Sequence, residues 1–166
     1  MRNKLVLTFI AAAILLYGFI SFAGETPNDI FEAKIKKLNE SVTTISPGEL
    51  MSWVKSKKKF ALIDVRESTE VEAGKIETPE TKYIPLGMLD VIAAKGAIKT
   101  DQTIVVYCKK GSRGLLAAAM LMELGFKDVY NLEGGIHGWM EAGFPITNSL
   151  GTFKAVPYEL TNCGEE

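Results

Sequence analysis

The chain has 166 residues, of which 47% are hydrophobic and 23% charged, and its formal net charge is −1. A chain of this length and composition can bury one hydrophobic core, and its sequence contains no internal repeat that would indicate a second domain. The nearly balanced charge gives no indication of nucleic-acid binding.

The first 23 residues have the pattern of a secretory signal peptide. Arg2 and Lys4 precede an apolar run over residues 5–22, which closes on the small side chains of Ser21 and Ala23. We therefore expect cleavage after Ala23 and export, in a bacterium to the periplasm. The alternative is an uncleaved membrane anchor through residues 5–22, because that run approaches the roughly 18 to 20 apolar residues that span a bilayer.

Two helices are predicted before the first buried strand. Residues 24–43 form a polar leader with a short amphipathic helix, since apolar residues recur near helical spacing at Ile30, Phe31, Ile35, Leu38 and Val42. The sequence Ser46-Pro47-Gly48-Glu49 then predicts a helix start, with Ser46 as the N-cap and Pro47 in the first turn. This second helix should end near Lys55.

Apolar runs that alternate with helical segments predict a parallel sheet. The runs are Phe60–Val65, Ile104–Tyr107 and Val129–Leu132, and a shorter strand is expected at Tyr83–Pro85. Helical segments are expected at residues 87–94, at residues 114–124 and after Gly134-Gly135. This alternation favours an α/β fold in which a parallel sheet of about five strands is flanked by helices on both faces.

The sequence Cys108-Lys-Lys-Gly-Ser-Arg113 directly follows one of these runs, so its cysteine should lie at the carboxyl end of a strand. Backbone N–H groups of a tight loop and a helix N-terminus attract negative charge there. Lys109, Lys110 and Arg113 add cations, and such surroundings favour the nucleophilic thiolate. We predict that Cys108 is catalytic; the alternative is an inert, buried core cysteine.

No catalytic role is predicted for the second cysteine or for the single histidine. Cys163 lies in a C-terminal tail over residues 148–166, and although an oxidising compartment favours disulfides, we expect no resting bond to a Cys108 held in its loop. His137 is expected to be a surface residue, because no motif or partner requires it.

In chain order, these motifs resemble the single-domain rhodanese family of small α/β sulfurtransferases. The matches span Ser46 to Ile146, and we place the domain at residues 44–147. They are Asp64-Val-Arg-Glu67, Glu70 before Gly74-Lys-Ile76, Ile84-Pro85, the Cys108–Arg113 sequence, and Asn131-Leu-Glu-Gly-Gly-Ile136 with Gly138-Trp139. The chain departs from the family at the pocket rim, where Lys75 replaces the common histidine and residues 77–83 lack the usual proline-glycine turn.

The resemblance implies that Cys108 takes a sulfane sulfur from a small anionic donor such as thiosulfate and passes it to a thiol, cyanide or protein acceptor. The Cys108 persulfide would be held, without a metal or cofactor, by a loop of six residues: Lys109, Lys110, Gly111, Ser112, Arg113 and Gly114. Asp64, Arg66 and Glu70 would support the pocket, with Arg66 paired to Glu70 and Asp64 accepting loop N–H bonds. The alternative for each is ordinary helix capping or surface pairing. The protein would act as a monomer, touching a membrane only if its N-terminal segment is retained.

Two other functions are compatible with a cysteine at this position. A cysteine-dependent phosphatase or arsenate reductase uses a similar loop, but needs a longer spacing than the four residues that separate Cys108 from Arg113. The sequence also shows no evident acid to protonate a leaving group. A non-catalytic or redox thiol module is the other alternative, although the C-x-x-C pair typical of thiol-disulfide oxidoreductases does not occur.

Overall fold

A computed structural model describes residues 24–155 of the chain. The predicted signal peptide over residues 1–23 lies outside the described residues, as do Cys163 and most of the predicted tail. Between residues 24 and 155, no helix is long and apolar enough to cross a membrane.

Within the described residues, the chain forms six α-helices, seven strands and one 3₁₀ helix. The helices are α1 (Pro27–Ser41), α2 (Pro47–Lys55), α3 (Ser68–Ala73), α4 (Leu89–Ala94), α5 (Ser112–Glu123) and α6 (Gly135–Glu141), and the 3₁₀ helix is Leu86–Met88. The strands are β1 (Thr43–Ile45), β2 (Ala61–Asp64), β3 (Thr81–Tyr83), β4 (Ile104–Tyr107), β5 (Val129–Leu132), β6 (Ile146–Asn148) and β7 (Gly151–Phe153).

The first five strands form one parallel sheet in the order β1-β5-β4-β2-β3. This confirms the predicted α/β architecture. In the register of the neighbouring strands β2 and β4, Asp64 lies opposite Tyr107, so the residues that follow β2 and β4 meet at the same edge of the sheet. We call it the carboxyl edge; in parallel α/β sheets ligands bind at this edge.

Both faces of the sheet are covered, because alternate residues of β4 enter different cores. Val106 packs with Leu121 of α5 on one face. Tyr107 packs with Leu50 of α2 and Trp139 of α6 on the other. A strand buried on both sides explains why the run at residues 104–107 is continuously apolar.

The predicted start and end of α2 agree with the structure, whereas the predicted bounds of β3 do not. The Ser46 hydroxyl accepts the Glu49 N–H at 3.2 Å, and α2 ends at Lys55 as predicted. The strand expected at Tyr83–Pro85 instead occupies Thr81–Tyr83. Pro85 begins the 3₁₀ turn, because it has no N–H to continue a ladder.

Two elements near the chain ends complete the described structure. α1 is the amphipathic helix predicted in the leader, and its Ile35 and Leu38 pack against the core. β6 and β7 form a separate antiparallel pair that the sequence did not predict. Lys75 and Thr147 exchange two backbone hydrogen bonds of 2.9 Å, which tie this pair to the segment after α3.

Candidate active site

The loop after β4 buries the Cys108 thiol and gives it a backbone hydrogen bond. Cys108 is 2% exposed, and the Gly111 N–H donates a hydrogen bond to its Sγ at 3.1 Å. Gly111 adopts φ 109°, a conformation that side chains disfavour, and α5 begins at the next residue, Ser112. The thiol therefore lies at the positive end of a helix dipole, where a thiolate or another sulfur anion is stabilised.

A second helix supports this loop through backbone contacts. At the start of α6, the Ile136 N–H donates to the Cys108 carbonyl at 2.8 Å and the His137 N–H donates to the Lys109 carbonyl at 3.1 Å. Gly135 adopts φ 58°, and a Cβ there would overlap the Cys108 carbonyl oxygen. The sequence identified Gly134-Gly135 as a turn; its role as the support of the cysteine loop was missed.

Arg66 and Asp64 form a buried ion pair at the end of β2. They are 4% and 1% exposed, and the Arg66 Nε and Nη2 donate to the Asp64 carboxylate at distances of 2.6 to 3.2 Å. Arg66 also donates to the carbonyls of Glu70 and Gly74, at 3.0 and 2.8 Å. The expected pairing of the Arg66 and Glu70 side chains is therefore wrong, because Asp64 holds the guanidinium. Asp64 also accepts the Arg66 backbone N–H at 3.1 Å, the kind of bond expected of it.

Burial of Arg66 disfavours its charged form, but the hydrogen bonds and the charge of Asp64 outweigh that penalty and raise the Arg66 pKa. The Arg66 guanidinium is consequently charged at any pH at which the protein functions. This guanidinium bonds the carbonyls at both ends of the segment from Glu70 to Gly74, so it fixes that segment against the end of β2.

Arg113 forms a second ion pair, with Glu70. Its two Nη atoms donate to the two carboxylate oxygens of Glu70, both at 2.7 Å, and the side chains are 33% and 28% exposed. The Arg113 hydrogen bonds lower the pKa of Glu70 to about 2, and Glu70 in turn raises the pKa of Arg113. Arg113 was expected to add positive charge to the loop that holds the persulfide; in the structure its charge is already balanced by Glu70.

Tyr107 and Asn131 are buried polar residues of the site region that the sequence analysis missed. The Tyr107 hydroxyl accepts the Ile76 N–H at 3.1 Å, and burial raises the pKa of this phenol. Asn131 is 3% exposed, and a Cβ on Gly114 would overlap its Oδ1. Gly114, expected to bind substrate, is thus also a residue whose missing side chain lets α5 pack closely on β5.

A cavity of about 270 Å³ lies beside the cysteine loop. Its walls include the apolar side chains Ile136, Met140 and Ile146, and its rim includes the charged residues Glu70 and Lys109. His137, expected to be a surface residue, is half-buried and also lines this cavity. We refer to it as the loop cavity.

The remaining loop residues differ in exposure. The side chains of Lys109 and Lys110 are exposed to solvent, whereas Ser112 is half-buried as the first residue of α5. All of the predicted site residues lie at the carboxyl edge of the sheet. The structure brings Arg113 to Glu70 and Arg66 to Asp64, while the two lysines face outward, where they can attract an anion without holding it rigidly.

The chain is similar to known proteins over most of the described structure. A profile of the rhodanese-like domain matches residues 46–142. The chain is 37% identical over 124 residues to the probable adenylyltransferase/sulfurtransferase MoeZ of Mycobacterium tuberculosis, a match that covers 75% of this chain but only 30% of that protein. It is 31% identical over 105 residues to a sulfurtransferase of Allochromatium vinosum, covering 63% of this chain and 94% of the other.

A solved structure shows the same fold. The chain superposes with a TM-score of 0.66 on a protein of unknown function from Rhodopseudomonas palustris, described as a possible tyrosine phosphatase. The two sequences are 30% identical, and the match covers 74% of this chain and 98% of the other.

Proposed function

Because the chain belongs to the rhodanese-like domain family, we propose that it is a sulfurtransferase that carries a sulfane sulfur as a persulfide on Cys108. The observation that carries this proposal is the 3.1 Å hydrogen bond from the Gly111 N–H to Sγ, within a loop that opens α5. Relatives that carry the name sulfurtransferase support the same reaction class. The proposed donor is a small sulfur anion such as thiosulfate.

The first step forms a persulfide. The Cys108 thiolate attacks the outer sulfur of thiosulfate, the bond between the two donor sulfurs breaks, and its electron pair leaves with sulfite. The persulfide carries negative charge on its terminal sulfur, so the Gly111 N–H and the start of α5 would stabilise it. In the second step a nucleophile such as cyanide or a thiolate takes that sulfur, and the Cys108 thiolate is restored.

The charged residues near the loop would act on the anionic donor in different ways. Lys109 and Lys110 are exposed and would attract it through solvent. Arg113 would keep Glu70 neutralised near the mouth of the loop. Without this guanidinium, an unpaired carboxylate would face the incoming anion.

Sulfur loading is tested by intact-mass spectrometry after exposure to thiosulfate. The wild type should gain the mass of one sulfur atom, and a thiol reductant should remove it. Cys108→Ser should gain none. A wild type that gains no sulfur, or a Cys108→Ser variant that gains it equally, would rule out the proposed mechanism.

The phosphatase alternative is tested on the same preparations, because one structural neighbour is described as a possible tyrosine phosphatase. The short spacing between Cys108 and Arg113, and the engagement of Arg113 with Glu70, argue against a ring that surrounds a phosphate. We expect no Cys108-dependent hydrolysis of p-nitrophenyl phosphate. Hydrolysis by the wild type that Cys108→Ser abolishes would favour the phosphatase.

We further propose that the protein is exported and acts as a monomer. The charged start, apolar run and Ser21-Phe22-Ala23 ending support cleavage after Ala23. Amino-terminal sequencing of exported protein should begin at Gly24, whereas a membrane-bound product that retains Arg2 and Lys4 would establish the anchor. Size-exclusion chromatography with light scattering should give the mass of one chain.

A further inference from the structure

We propose that the loop cavity holds the substituent of the sulfur acceptor, and that the acceptor is therefore a small thiol with an apolar substituent. This inference rests on the proposed sulfurtransferase function and narrows the acceptor, which that function leaves open, to one chemical class. Four features support it, namely the burial of Cys108 and the position, the walls and the charges of the cavity.

The burial of Cys108 limits the size of an acceptor. Cys108 is almost completely buried, and the outer sulfur of its persulfide would lie only about 2 Å beyond Sγ. A thiol fixed on the surface of a folded protein would have to bring that whole surface against the loop to reach this sulfur. A thiol on a short chain can enter alone, so burial favours a small-molecule acceptor.

The cavity adjoins both ends of the cysteine loop. Lys109, which lines it, directly follows Cys108. Ile136 forms part of its wall and donates its N–H to the Cys108 carbonyl at 2.8 Å. Glu70, at the rim, bonds Arg113 at the other end of the loop. A substituent that fills the cavity therefore brings the sulfur attached to it beside the loop.

The walls of the cavity select an apolar substituent. Ile136 and Ile146 are buried residues of these walls, and Met140 is half-buried. Such walls bind an alkyl group by removing it from water, whereas a hydroxyl or a carboxylate would lose hydrogen bonds that these side chains cannot replace. The volume of about 270 Å³ lies just below the range of sites for drug-sized ligands, so it suits a substituent of a few carbon atoms.

The wall that β6 contributes is held in place by the backbone. Lys75 and Thr147 exchange two hydrogen bonds of 2.9 Å, which fix β6 beside the segment after α3. Ile146, the residue before Thr147, packs on Gly74, since a Cβ added to Gly74 would lie 2.7 Å from the Ile146 Cδ1. This wall is therefore formed before an acceptor binds, and a preformed wall discriminates between substituents by their shape and polarity.

The charges around the cavity favour an acceptor whose single charge is on its sulfur. Arg66 and Glu70 line the cavity, but both are already engaged, because Arg66 bonds Asp64 and Glu70 accepts two hydrogen bonds from Arg113. Lys109 is exposed on the cysteine loop, where its charge attracts a thiolate. The cavity thus suits a substituent without a charged group of its own.

The transfer balances without an oxidant or a reductant. The acceptor thiol releases its proton to water, and its thiolate attacks the outer sulfur of the Cys108 persulfide. A new sulfur–sulfur bond forms, the bond to Sγ breaks, and its electron pair remains on Sγ as the Cys108 thiolate. The acceptor leaves as a persulfide.

Two acceptors of the same shape test this selectivity on the full chain. 1-Butanethiol and 3-mercaptopropanol differ only in a terminal methyl or hydroxyl group. Protein loaded with sulfur from thiosulfate is desalted and mixed with either thiol, and intact-mass spectrometry follows the loss of the extra sulfur. Each second-order rate constant is divided by that of the same thiol with cystine, which corrects for intrinsic nucleophilicity. We expect 1-butanethiol to be at least about tenfold faster.

Met140→Gln gives the cavity a polar wall of similar size. Because the new amide can hydrogen-bond the hydroxyl of 3-mercaptopropanol, the advantage of 1-butanethiol should fall to about threefold or less. Met122→Gln is the matched control, since it makes the same substitution at an exposed residue of α5 outside the cavity. This control should keep the wild-type ratio.

The wild-type comparison decides even if Met140→Gln does not fold. Equal corrected rates for the two thiols, loss of sulfur to neither thiol, or an unchanged ratio in folded Met140→Gln would overturn the inference and leave the proposed function intact. A wild type that takes up no sulfur from thiosulfate would instead refute the proposed function.

Discussion

The two ion pairs at the carboxyl edge of the sheet have the same chemistry but different surroundings. Asp64 and Arg66 are almost completely buried, and Arg66 also bonds two backbone carbonyls. Glu70 and Arg113 remain about one third exposed, and among the described residues the Arg113 guanidinium donates only to this carboxylate. The buried Asp64–Arg66 pair therefore fixes the backbone around it, whereas the exposed Glu70–Arg113 pair sets the charge beside the cysteine loop.

This difference decides what each arginine contributes to the free energy of folding and to the reaction. Removing one partner of a buried ion pair is strongly destabilising, because the remaining charge stays in the protein interior. Removing one partner of a partly exposed pair costs little, because water solvates the remaining charge. We therefore expect substitutions at Arg66 to act mainly on stability and substitutions at Arg113 to act mainly on transfer.

The largest expected effect comes from Arg66→Ala. It leaves the Asp64 carboxylate buried and unpaired, which should lower the free energy of unfolding by about 3 to 5 kcal/mol. Urea denaturation of the wild type and the variant measures this difference in the free energy of unfolding. The matched control is Lys75→Ala, which breaks the exposed pair with Glu77 at 3.5 Å and should change stability by about 0.5 kcal/mol or less. An Arg66→Ala variant as stable as this control would contradict the expected difference between the buried and the exposed ion pair.

Arg113→Ala should reduce kcat/KM for thiosulfate on the order of 10²-fold, because the unpaired Glu70 carboxylate would repel the anionic donor in the partly desolvated mouth of the loop. The free energy of unfolding should fall by only about 1 kcal/mol. Steady-state kinetics and thermal melting separate the two effects. If the unpaired Glu70 carboxylate causes the loss, the double variant Arg113→Ala/Glu70→Gln should recover part of the rate. A double variant no faster than the single one would show that Arg113 contacts the donor itself.

The exposed pair also predicts a dependence of stability on pH. The pKa of Glu70 is lowered from its ordinary value of 4.5 to about 2, so its stabilisation is present above pH 4.5 and is lost as the pH falls through 2. Because solvent screens this pair, we expect its share to be about 1 kcal/mol. Denaturation between pH 5 and pH 2 should therefore affect the wild type more than Glu70→Gln. Parallel curves for the two proteins would contradict this assignment.

The smallest effects are expected from Lys109→Ala and Lys110→Ala. Exposed lysines that attract an anion through solvent should change kcat/KM only about 2- to 5-fold at low ionic strength, and the difference should vanish in high salt. Lys58→Ala is the control, because this lysine is not part of the cysteine loop; it lies between α2 and β2, over the Trp53 ring. Rates that remain low in high salt would mean that a lysine binds the donor directly.

The elements that could be predicted from the sequence are those with local causes. The apolar runs at β2, β4 and β5 and the Ser46 cap of α2 depend on adjacent residues, so their positions follow from short stretches of sequence. The place of Cys108 at the end of β4 follows in the same way. β6 and β7 were missed because each has three residues, too few for a periodic pattern.

The connections within the site could not be predicted, because they join residues far apart in the chain. Arg113 and Glu70 are 43 residues apart, and Tyr107 and Ile76 are 31 residues apart. Arg66 had two acceptable carboxylates nearby; Asp64 is buried beside it, and Arg113 occupies both oxygens of Glu70. Composition and spacing identify such residues as polar members of a site, but packing assigns their partners.

During synthesis, the cysteine loop gains its backbone contacts with α6 only after α6 has been made. Translation delivers Cys108 before Ile136 and His137, whose N–H groups bond the carbonyls of Cys108 and Lys109. A nascent chain, or a fragment cut before Gly134, thus carries the cysteine without the support of its loop. For the same reason, grafting the Cys108–Arg113 sequence onto another scaffold would transfer the thiol without the α6 hydrogen bonds that support its loop.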